Sequence, residues 1–526
     1  MATYSRPGVF IQEVELPQTI DLTENTNAVG AFVGSLPKGP TSVPVLINSW
    51  TQFVKIFGAL QDAYPTTWAA YNFFANGGRN LYIKRVTGSG AAAASVILTD
   101  SSSNHLNTLS VQAASAGTWG NSLAVQVTAA GVSTRFGLSV YGSPTIVGNA
   151  TSNLLETYTD LSMDPTDPRY VVSVVNTQSS FIAVYNQNSA SPAPTNMPTV
   201  GGTLYALGSS SAGADGSTPT RTLYGTSLAT FDPIQNPLVF NNPDAAYLYN
   251  TSTGSGTDRT NVINILSDLV SYAANRGDAF VVLDTPDNLS VVDAQTFISD
   301  LSAAYAGSSD GGVAAAYYPW VLIPDALKAT PGSTRVQAPG AAVVGQYLAT
   351  DASRGVFKTP AGLTNQLALA VATDHQFSNS ELDALNSSTL PINAIRQVPG
   401  AGIVIMGGRT LKNTAGGRYI NVRRSLTYIE KQAKDLTSFA IFENNDAQLW
   451  NRISVALGTF LGTYWQQGGL RGNKPTDAYY VKCDSTNNNL QDIMAGKVNI
   501  EIGVALEYPA EFVIIKIGQL TGNATA

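Results

Sequence analysis

The chain has 526 residues, more than one ordinary hydrophobic core organises, so we expect two to four domains. Only 12% of the residues are charged, against ~25% in ordinary globular domains, and the net charge of −7 disfavours non-specific binding to nucleic acid. The single cysteine, Cys483, excludes an intramolecular disulfide and a cysteine-rich metal site. A weakly charged surface tolerates coverage by neighbouring molecules, which indicates assembly.

The first predicted element is a strand near the amino terminus, in the arm formed by residues 1–27. The stretch GVFIQEV is rich in β-branched and aromatic residues, and its strand positions are Val9, Phe10, Ile11 and Val14. The next 14 residues, ELPQTIDLTENTNA, show neither a hairpin signal nor a helical period, so this strand needs a sheet formed elsewhere. Extended, they reach up to ~45 Å, against a radius of gyration of ~24 Å for a chain of this length. The strand can therefore reach a neighbouring molecule.

The start MATYSRPGVF lacks the apolar run of a secretion signal, and no stretch approaches ~18 apolar residues. We therefore expect synthesis in a cytoplasm and no membrane insertion.

Strands that alternate with helices predict a discontinuous α/β core domain over residues 28–87 and 241–385. AVGAFVG and NLYIKRV read as strands, while SWTQFVKIFG and TTWAAYNFFANGG read as helices, the first of them capped by Ser49. The pattern returns with TNVINILSDLVSYAANRGDAFVVLDTP, a helix followed by a buried strand.

Between the two parts of the core, the composition shifts towards Ser, Thr, Gly and Ala. Residues 88–240 contain short β-like runs such as SLAVQVTAA and RYVVSVVN, and no long helical segment stands out. We predict an inserted β-rich outer domain.

Residues 386–508 predict a C-terminal α+β domain that begins with a strand in GIVIMGGRTL. Two helices follow, the second with Asn444 or Asn445 as its expected cap. The alternation of apolar residues then predicts a strand through Val498, Ile500, Ile502 and Val504. Residues 509–526 form a last arm with a strand that is apolar on both faces, through Phe512, Val513, Ile514, Ile515 and Ile517.

Few residues of the sequence are suited to catalysis, and we expect no catalytic, cofactor-binding or metal-binding residue. His105 lies in a polar loop, His375 adjoins Asp374 in a surface or capping context, and no nucleotide-binding or hydrolase motif occurs. The alternative is a metal-dependent hydrolase that uses Asp284 and Asp287, which follow the buried strand AFVVLD.

A basic segment runs from Arg396 to Lys434, with eight cations and Glu430 as its one acid. A solvated helix face is one interpretation. The other is contact with an acidic protein surface, because clustered charge steers and orients protein partners.

Together these residues resemble contractile tail sheath proteins. YSRPGVFIQEV is similar to the family's amino-terminal motif, and AFVGSLPKGP, SWTQFVKIFG and FFANGGRNLYIKRV to its first core block. GTWGNSLAVQV and LSMDPTDPRYVV match its inserted region, and YYPW and YLATDASRGVFKTPAG the return of the core. INVRRSLTYIEK, FENNDAQLWNRI and the residues up to VNIEIGVALEYPAEFVIIKIGQ follow its C-terminal domain nearly continuously.

The resemblance implies an α+β multidomain subunit whose terminal strands pair with the C-terminal domains of neighbours. It implies a helical homopolymer of stacked, hexameric rings that surrounds an inner tail tube protein and meets baseplate and tail terminator proteins. The polymer would contract to drive the tube through the target cell envelope, with no cofactor, no nucleic acid partner and no membrane insertion.

The implied location is the virion tail, assembled in the host bacterial cytoplasm. Candidate tube-facing residues are Arg423, Arg424, Lys431 and Lys434. The sheath of a phage-derived injection system or bacteriocin particle is the alternative within the family, and a surface-layer protein is a more distant one.

Overall fold

The computed structural model describes residues 28–143, 146–147, 150–249, 256–305, 311–412 and 416–511. The first part of the core contains β1 (Val29–Gly34), β2 (Val45–Ile47), α1 (Trp50–Phe57), α2 (Pro65–Ala75) and β3 (Leu81–Arg85). The intervening region contains β4 (Ser95–Thr99), β5 (Asn107–Ala113), β6 (Leu123–Ala129), β7 (Phe136–Gly142), β8 (Ile146–Val147), β9 (Ala150–Thr151), β10 (Leu154–Leu161), α3 (Val171–Gln178), β11 (Ile182–Asn186), β12 (Leu204–Ala206) and α4 (Arg221–Leu228).

The core then returns with β13 (Leu238–Asn241), α5 (Gly256–Arg276), β14 (Ala279–Asp284), α6 (Val291–Tyr305), β15 (Ala314–Tyr318), β16 (Val321–Pro324), β17 (Thr334–Gln337), α7 (Gly340–Arg354), β18 (Ala372–Thr373), α8 (Asn379–Ser387), β19 (Ile392–Val398) and β20 (Gly402–Met406). The C-terminal part contains α9 (Ile420–Leu436), α10 (Ala447–Gln466), α11 (Pro475–Ala478), β21 (Tyr479–Lys482), α12 (Leu490–Met494) and β22 (Glu501–Val504).

An eight-stranded sheet forms the centre of the molecule, in the order β2–β3–β1–β13–β14–β15–β19–β20. The six inner strands are parallel, and β2 and β20 pair antiparallel at the two edges. Helices cover both faces, so inner strands are buried on both sides: in β1, Ala31 and Val33 join one apolar cluster and Phe32 joins the other. Ser49 caps α1 by accepting a hydrogen bond from the backbone N–H of Gln52, as predicted.

Strands β19 and β20 belong to this central sheet, although we had placed them in the C-terminal domain. Ala316 to Tyr318 of β15 pair in parallel with Ile392 to Ala394, and β20 then pairs antiparallel with β19. Their apolar residues, such as Ile395 and Ile405, complete the cluster that contains Phe32. The sequence did not predict this placement, because the residue pattern of a strand does not identify the strand with which it pairs.

The inserted region consists mainly of two small sheets, β10–β7–β6–β12 and β11–β5–β4, around one apolar cluster. RYVVSVVN, which we predicted as β-like, forms helix α3, because Val171, Val174 and Val175 lie on one helical face and are buried in that cluster. Residues after 220, assigned to the insertion from composition, pack in the core: α4 buries Tyr224 and Leu228 against the central sheet.

Arg85, buried at the end of β3, joins the core to the inserted region. Its guanidinium donates hydrogen bonds to the carbonyl oxygens of Leu36 (2.8 Å), Pro37 (3.2 Å) and Gly39 (2.8 Å), and across the junction to that of Ala116 (2.8 Å). Burial lowers the pKa of Arg85 to about 10, so it remains charged at neutral pH.

Candidate inter-subunit surface

The C-terminal part carries a sheet of only two strands. Tyr479 to Lys482 of β21 pair antiparallel with Val504 to Glu501 of β22. Among the described residues no third strand joins either β21 or β22. Each strand therefore has one edge that is available to a further strand, as in β-strand addition.

The inner face of this sheet rests on the two long helices. Ile502 and Val504 pack in a cluster with Leu461 and Tyr464 of α10, and Ile429 of α9 completes it. Val498 and Ile500 pack beside Ile453 and Leu457 of α10. We predicted one strand through Val498, Ile500, Ile502 and Val504; the ladder begins only at Glu501, although all four side chains are half-buried as the alternation requires.

The outer face is formed by Tyr480 and Gly503, which lie directly opposite each other. A Cβ atom at Gly503 would lie 2.1 Å from the Tyr480 ring, so only glycine leaves room for the ring across β22. The hydroxyl of Tyr480, a residue that is 52% exposed, donates to Glu501 Oε1 at 2.6 Å. The Tyr480 ring is thereby held on the outer face of the sheet by the glycine and the carboxylate of β22.

The predicted arm strands lie outside the described residues. This applies to Val9, Phe10, Ile11 and Val14 at one end and to Phe512, Val513, Ile514, Ile515 and Ile517 at the other. The described chain starts at Ala28, which leads into β1, and ends at Glu511, seven residues after β22.

The four candidate tube-facing cations differ in their surroundings. Arg424 is buried and holds Asp351 of α7 in a two-pronged ion pair, with N–O distances of 2.9 and 2.5 Å. Lys431 is also buried and pairs with Asp435 at 3.1 Å. Arg423 is 3.9 Å from Glu430, and Lys434 is exposed. Arg424 and Lys431 are thus engaged within the subunit.

The Arg424–Asp351 pair belongs to a polar network between the core and the C-terminal helices. The Arg424 guanidinium lies 5.0 Å from the ring centre of Tyr347, whose hydroxyl is 2.5 Å from that of Tyr317. Burial lowers the pKa of Arg424, but the charge and hydrogen bonds of Asp351 outweigh burial, and the net shift is upward. Sequence analysis missed Asp351, because it pairs with a residue 73 positions away.

The carboxylates of the alternative hydrolase interpretation have structural partners. Asp284 is buried and accepts hydrogen bonds from Asn241 Nδ2 at 2.9 Å and from the backbone N–H of Gly340, at the start of α7, at 2.6 Å. Burial raises its pKa to about 6. Burial also raises the pKa of half-buried Asp287, and the charge of Asp374 adds to that effect.

His375 Nε2 donates a hydrogen bond to Oε1 of Glu381 at 3.1 Å, and Glu381 forms a capping box with Ser378 at the start of α8. Within the described ranges, no group of three or more His, Cys, Asp or Glu side chains is arranged to hold a metal ion. None of the described helices is both long and apolar enough to cross a membrane.

Comparison with known proteins gives one family match and several structures with a similar fold. Residues 414–519 match the family described as the phage tail sheath C-terminal domain. The sheath tail protein of Listeria innocua is 13% identical, with a TM-score of 0.60 over 92% of this chain and 97% of that one. The anti-feeding prophage helical sheath in its contracted state is 21% identical, with a TM-score of 0.55 over 98% of this chain and 100% of that one.

A further similar structure is the sheath tail protein of Desulfitobacterium hafniense, which is 15% identical, with a TM-score of 0.54 over 90% of this chain and 93% of that one. No curated protein matches the sequence significantly. At these identities the structures show a shared fold, a mixed α/β arrangement of several sheets, and the family match comes from the C-terminal part. The C-terminal part of the chain therefore matches the phage tail sheath C-terminal domain, and the chain shares its fold with the sheath proteins over nearly its whole length.

Proposed function

We propose that this protein polymerises as a helical sleeve around an inner tube and contracts to drive the tube through a target cell envelope, for phage genome delivery. One observation carries the proposal: the two-stranded sheet β21–β22 has two edges without a partner strand in the described part of the chain. The sequence supplies two predicted strands, one in each terminal arm. Two arms and two edges allow each subunit to join two neighbours.

The free energy gained by adding such a strand is large enough to favour assembly. A six-residue strand forms ~5 backbone hydrogen bonds at ~1 kcal/mol net each. Alternate apolar side chains add to this, and ordering the arm opposes it. Two such joints per subunit favour cooperative assembly.

Contraction in this proposal moves subunits as nearly rigid bodies that stay joined through their arms. Two buried junctions support rigidity: Arg85 ties the inserted region to the core, and Arg424 with Asp351 ties the C-terminal helices to α7. Energy is stored in the extended packing of subunits and needs no nucleotide. Inner tube, baseplate and terminator proteins are the proposed partners, and the virion tail is the proposed location.

We retain two of the four candidate tube-facing cations, because the other two are engaged in ion pairs within the subunit. Lys434 is exposed and Arg423 makes one long ion contact, so these two are the proposed contacts with an acidic tube surface. A sheath of a phage-derived injection or bacteriocin particle uses the same arms and edges. The similarity to the anti-feeding prophage sheath supports that second candidate.

Electron microscopy of the full-length protein beside a variant that lacks residues 1–14 tests the proposal. We expect ordered sleeves from the full-length chain at raised concentration, and monomers or loose rings from the shortened chain. Gln12→Ser, which keeps every apolar position of the arm strand, is the matched control and should form sleeves. Equal behaviour of the full-length and shortened chains would refute the role of the arm.

A further inference from the structure

The last described residues, 507–511, are held by contacts with their own subunit. Asn421 donates a hydrogen bond from Nδ2 to the carbonyl oxygen of Glu507 at 3.0 Å. The ring of Tyr508 lies edge-on to that of Tyr419, with centres 6.0 Å apart. These contacts fix the path of the chain up to the C-terminal arm.

Glu511, the residue before the arm strand, is held most firmly. Arg409 Nε lies 3.0 Å from Glu511 Oε1, and Arg409 Nη2 lies 2.5 Å from Glu511 Oε2. The Tyr419 hydroxyl donates to Oε2 at 3.4 Å. The two charged side chains are only 12% and 18% exposed, so water screens the pair weakly. Two-pronged contacts of this kind fix orientation as well as position.

Arg409 is itself held by the central sheet. Its backbone N–H donates to Asn393 Oδ1 at 2.9 Å, and Asn393 Nδ2 donates to the carbonyl oxygens of Arg409 (2.8 Å) and of Ala316 in β15 (3.1 Å). Arg409 Nη1 also donates to the carbonyl oxygen of Asn386 at 2.7 Å, at the end of α8. Arg409 is therefore connected by hydrogen bonds to the central sheet.

We propose that Arg409 and Glu511 form an anchor that fixes the direction in which the C-terminal arm leaves its subunit, and that this anchor determines how readily subunits polymerise. The inference rests on the proposed function, because it assumes that the arm pairs with a neighbour. Arg409 and Glu511 are positioning residues: they act on the arm and do not themselves enter the neighbour's sheet.

The physical reason is preorganisation. A free arm samples many directions, and it must lose that freedom when it joins another sheet. An arm held at Glu511, immediately before its predicted strand, searches a smaller volume, so the strand meets the acceptor edge at a higher effective concentration.

Glu511 is the better residue to change, because Arg409 also supports the end of α8. Glu511→Ala should raise the critical concentration for polymerisation roughly tenfold, equivalent to about 1.4 kcal/mol per subunit, measured at a temperature at which the monomer of each variant is folded. Glu511→Gln keeps acceptor capacity and should have a smaller effect. Glu507→Gln removes the same charge four residues earlier, where Asn421 uses only the backbone, and should polymerise as the unaltered protein does.

Deletion of residues 512–526 separates the anchor from the arm itself. If this deletion abolishes polymerisation while Glu511→Ala leaves the critical concentration unchanged, the anchor proposal is wrong and the proposed function stands. If the deletion also leaves polymerisation unchanged, the C-terminal arm does not join subunits, and the proposed function fails at this arm. Equal losses from Glu511→Gln and Glu507→Gln would attribute the effect to net charge and overturn the anchor.

Discussion

Asp284 shows how a buried acid can serve the fold and make its stability depend on pH. Both carboxylate oxygens accept hydrogen bonds, yet burial raises the pKa to about 6. Between about pH 4 and pH 6 the unfolded chain releases this proton while the folded chain keeps it. The contribution of Asp284 to stability therefore falls as the pH rises through this window.

Asp284→Asn removes this titration. The free energy of unfolding of the variant minus that of the unaltered protein should increase by up to about 3 kcal/mol between pH 4 and pH 7. Urea unfolding at a series of pH values measures this difference. A difference independent of pH would show that the folded-state pKa is not raised.

Arg424 is a second single residue whose replacement should strongly lower the stability of the protein. Arg424→Met leaves Asp351 as a buried charge without its cation, which costs about 3–5 kcal/mol. The matched control is Arg221→Met, which breaks the equally two-pronged but more exposed pair with Asp268 and should cost less than about 1 kcal/mol. Chemical denaturation of monomeric protein compares the two; equal losses would contradict the structural role of Arg424.

At the scale of elements, helix α10 begins one or two residues later than the sequence predicts. Asp446, not Asn444 or Asn445, is the cap, and its carboxylate accepts from the backbone N–H groups of Gln448 and Leu449, both at 2.9 Å. Asn445 instead accepts a hydrogen bond from the indole of Trp450 at 2.8 Å. Three consecutive residues can all cap a helix, so composition alone did not decide between them.

Exchange of the capping residues tests this assignment. Asp446→Ala should destabilise the protein by about 1 kcal/mol, because two N–H groups at the start of α10 lose their acceptor. Asn444→Ala should change stability by less than about 0.5 kcal/mol. Thermal unfolding measures both, and a larger loss from Asn444→Ala would reverse the assignment.

Most elements were predictable where local pattern and packing agree. The helix of TNVINILSDLVSYAANRG and the buried strand AFVVLD form as expected, because a long apolar stripe or run fits one element only. The prediction of a β-like run in RYVVSVVN was wrong. Its valines favour a strand by intrinsic propensity, but they form a helix here because one helical face packs against a sheet.

For the candidate surface, the sequence predicted the apolar alternation of residues 498–504 but not the pairs Arg409–Glu511 and Arg424–Asp351. Their members are 102 and 73 positions apart, and a single sequence carries no signal for such contacts. The domain boundaries expected from composition also differ from the observed packing, because β19, β20 and α4 join the core.

At the scale of the whole molecule, rigid transmission of movement depends on the junction between core and insertion. Arg85→Met removes the hydrogen bond to Ala116 and three bonds within the core, so we expect the inserted region to unfold in a separate transition, seen as two steps in calorimetry. Arg169→Met is the control, because Arg169 bonds to Thr159 and Asp160 within the inserted region. A single transition in Arg85→Met would mean that other contacts suffice to couple the two parts.

In the proposed polymer, the arm of one copy adds a strand to the sheet β21–β22 of another. Disulfide formation between two differently labelled populations tests it most directly, in a Cys483→Ser background that leaves no other thiol. One population carries Gln12→Cys or Glu13→Cys, which together sample both faces of the arm strand. The other carries Tyr480→Cys or Glu501→Cys on the sheet, or Val292→Cys, a somewhat more exposed position on α6, as the control.

If the arm pairs with this sheet during polymerisation, mixed disulfides should form rapidly between the arm and position 480 or 501, and few should form with position 292. Mixed disulfides that form no faster at 480 and 501 than at 292 would contradict strand exchange between subunits.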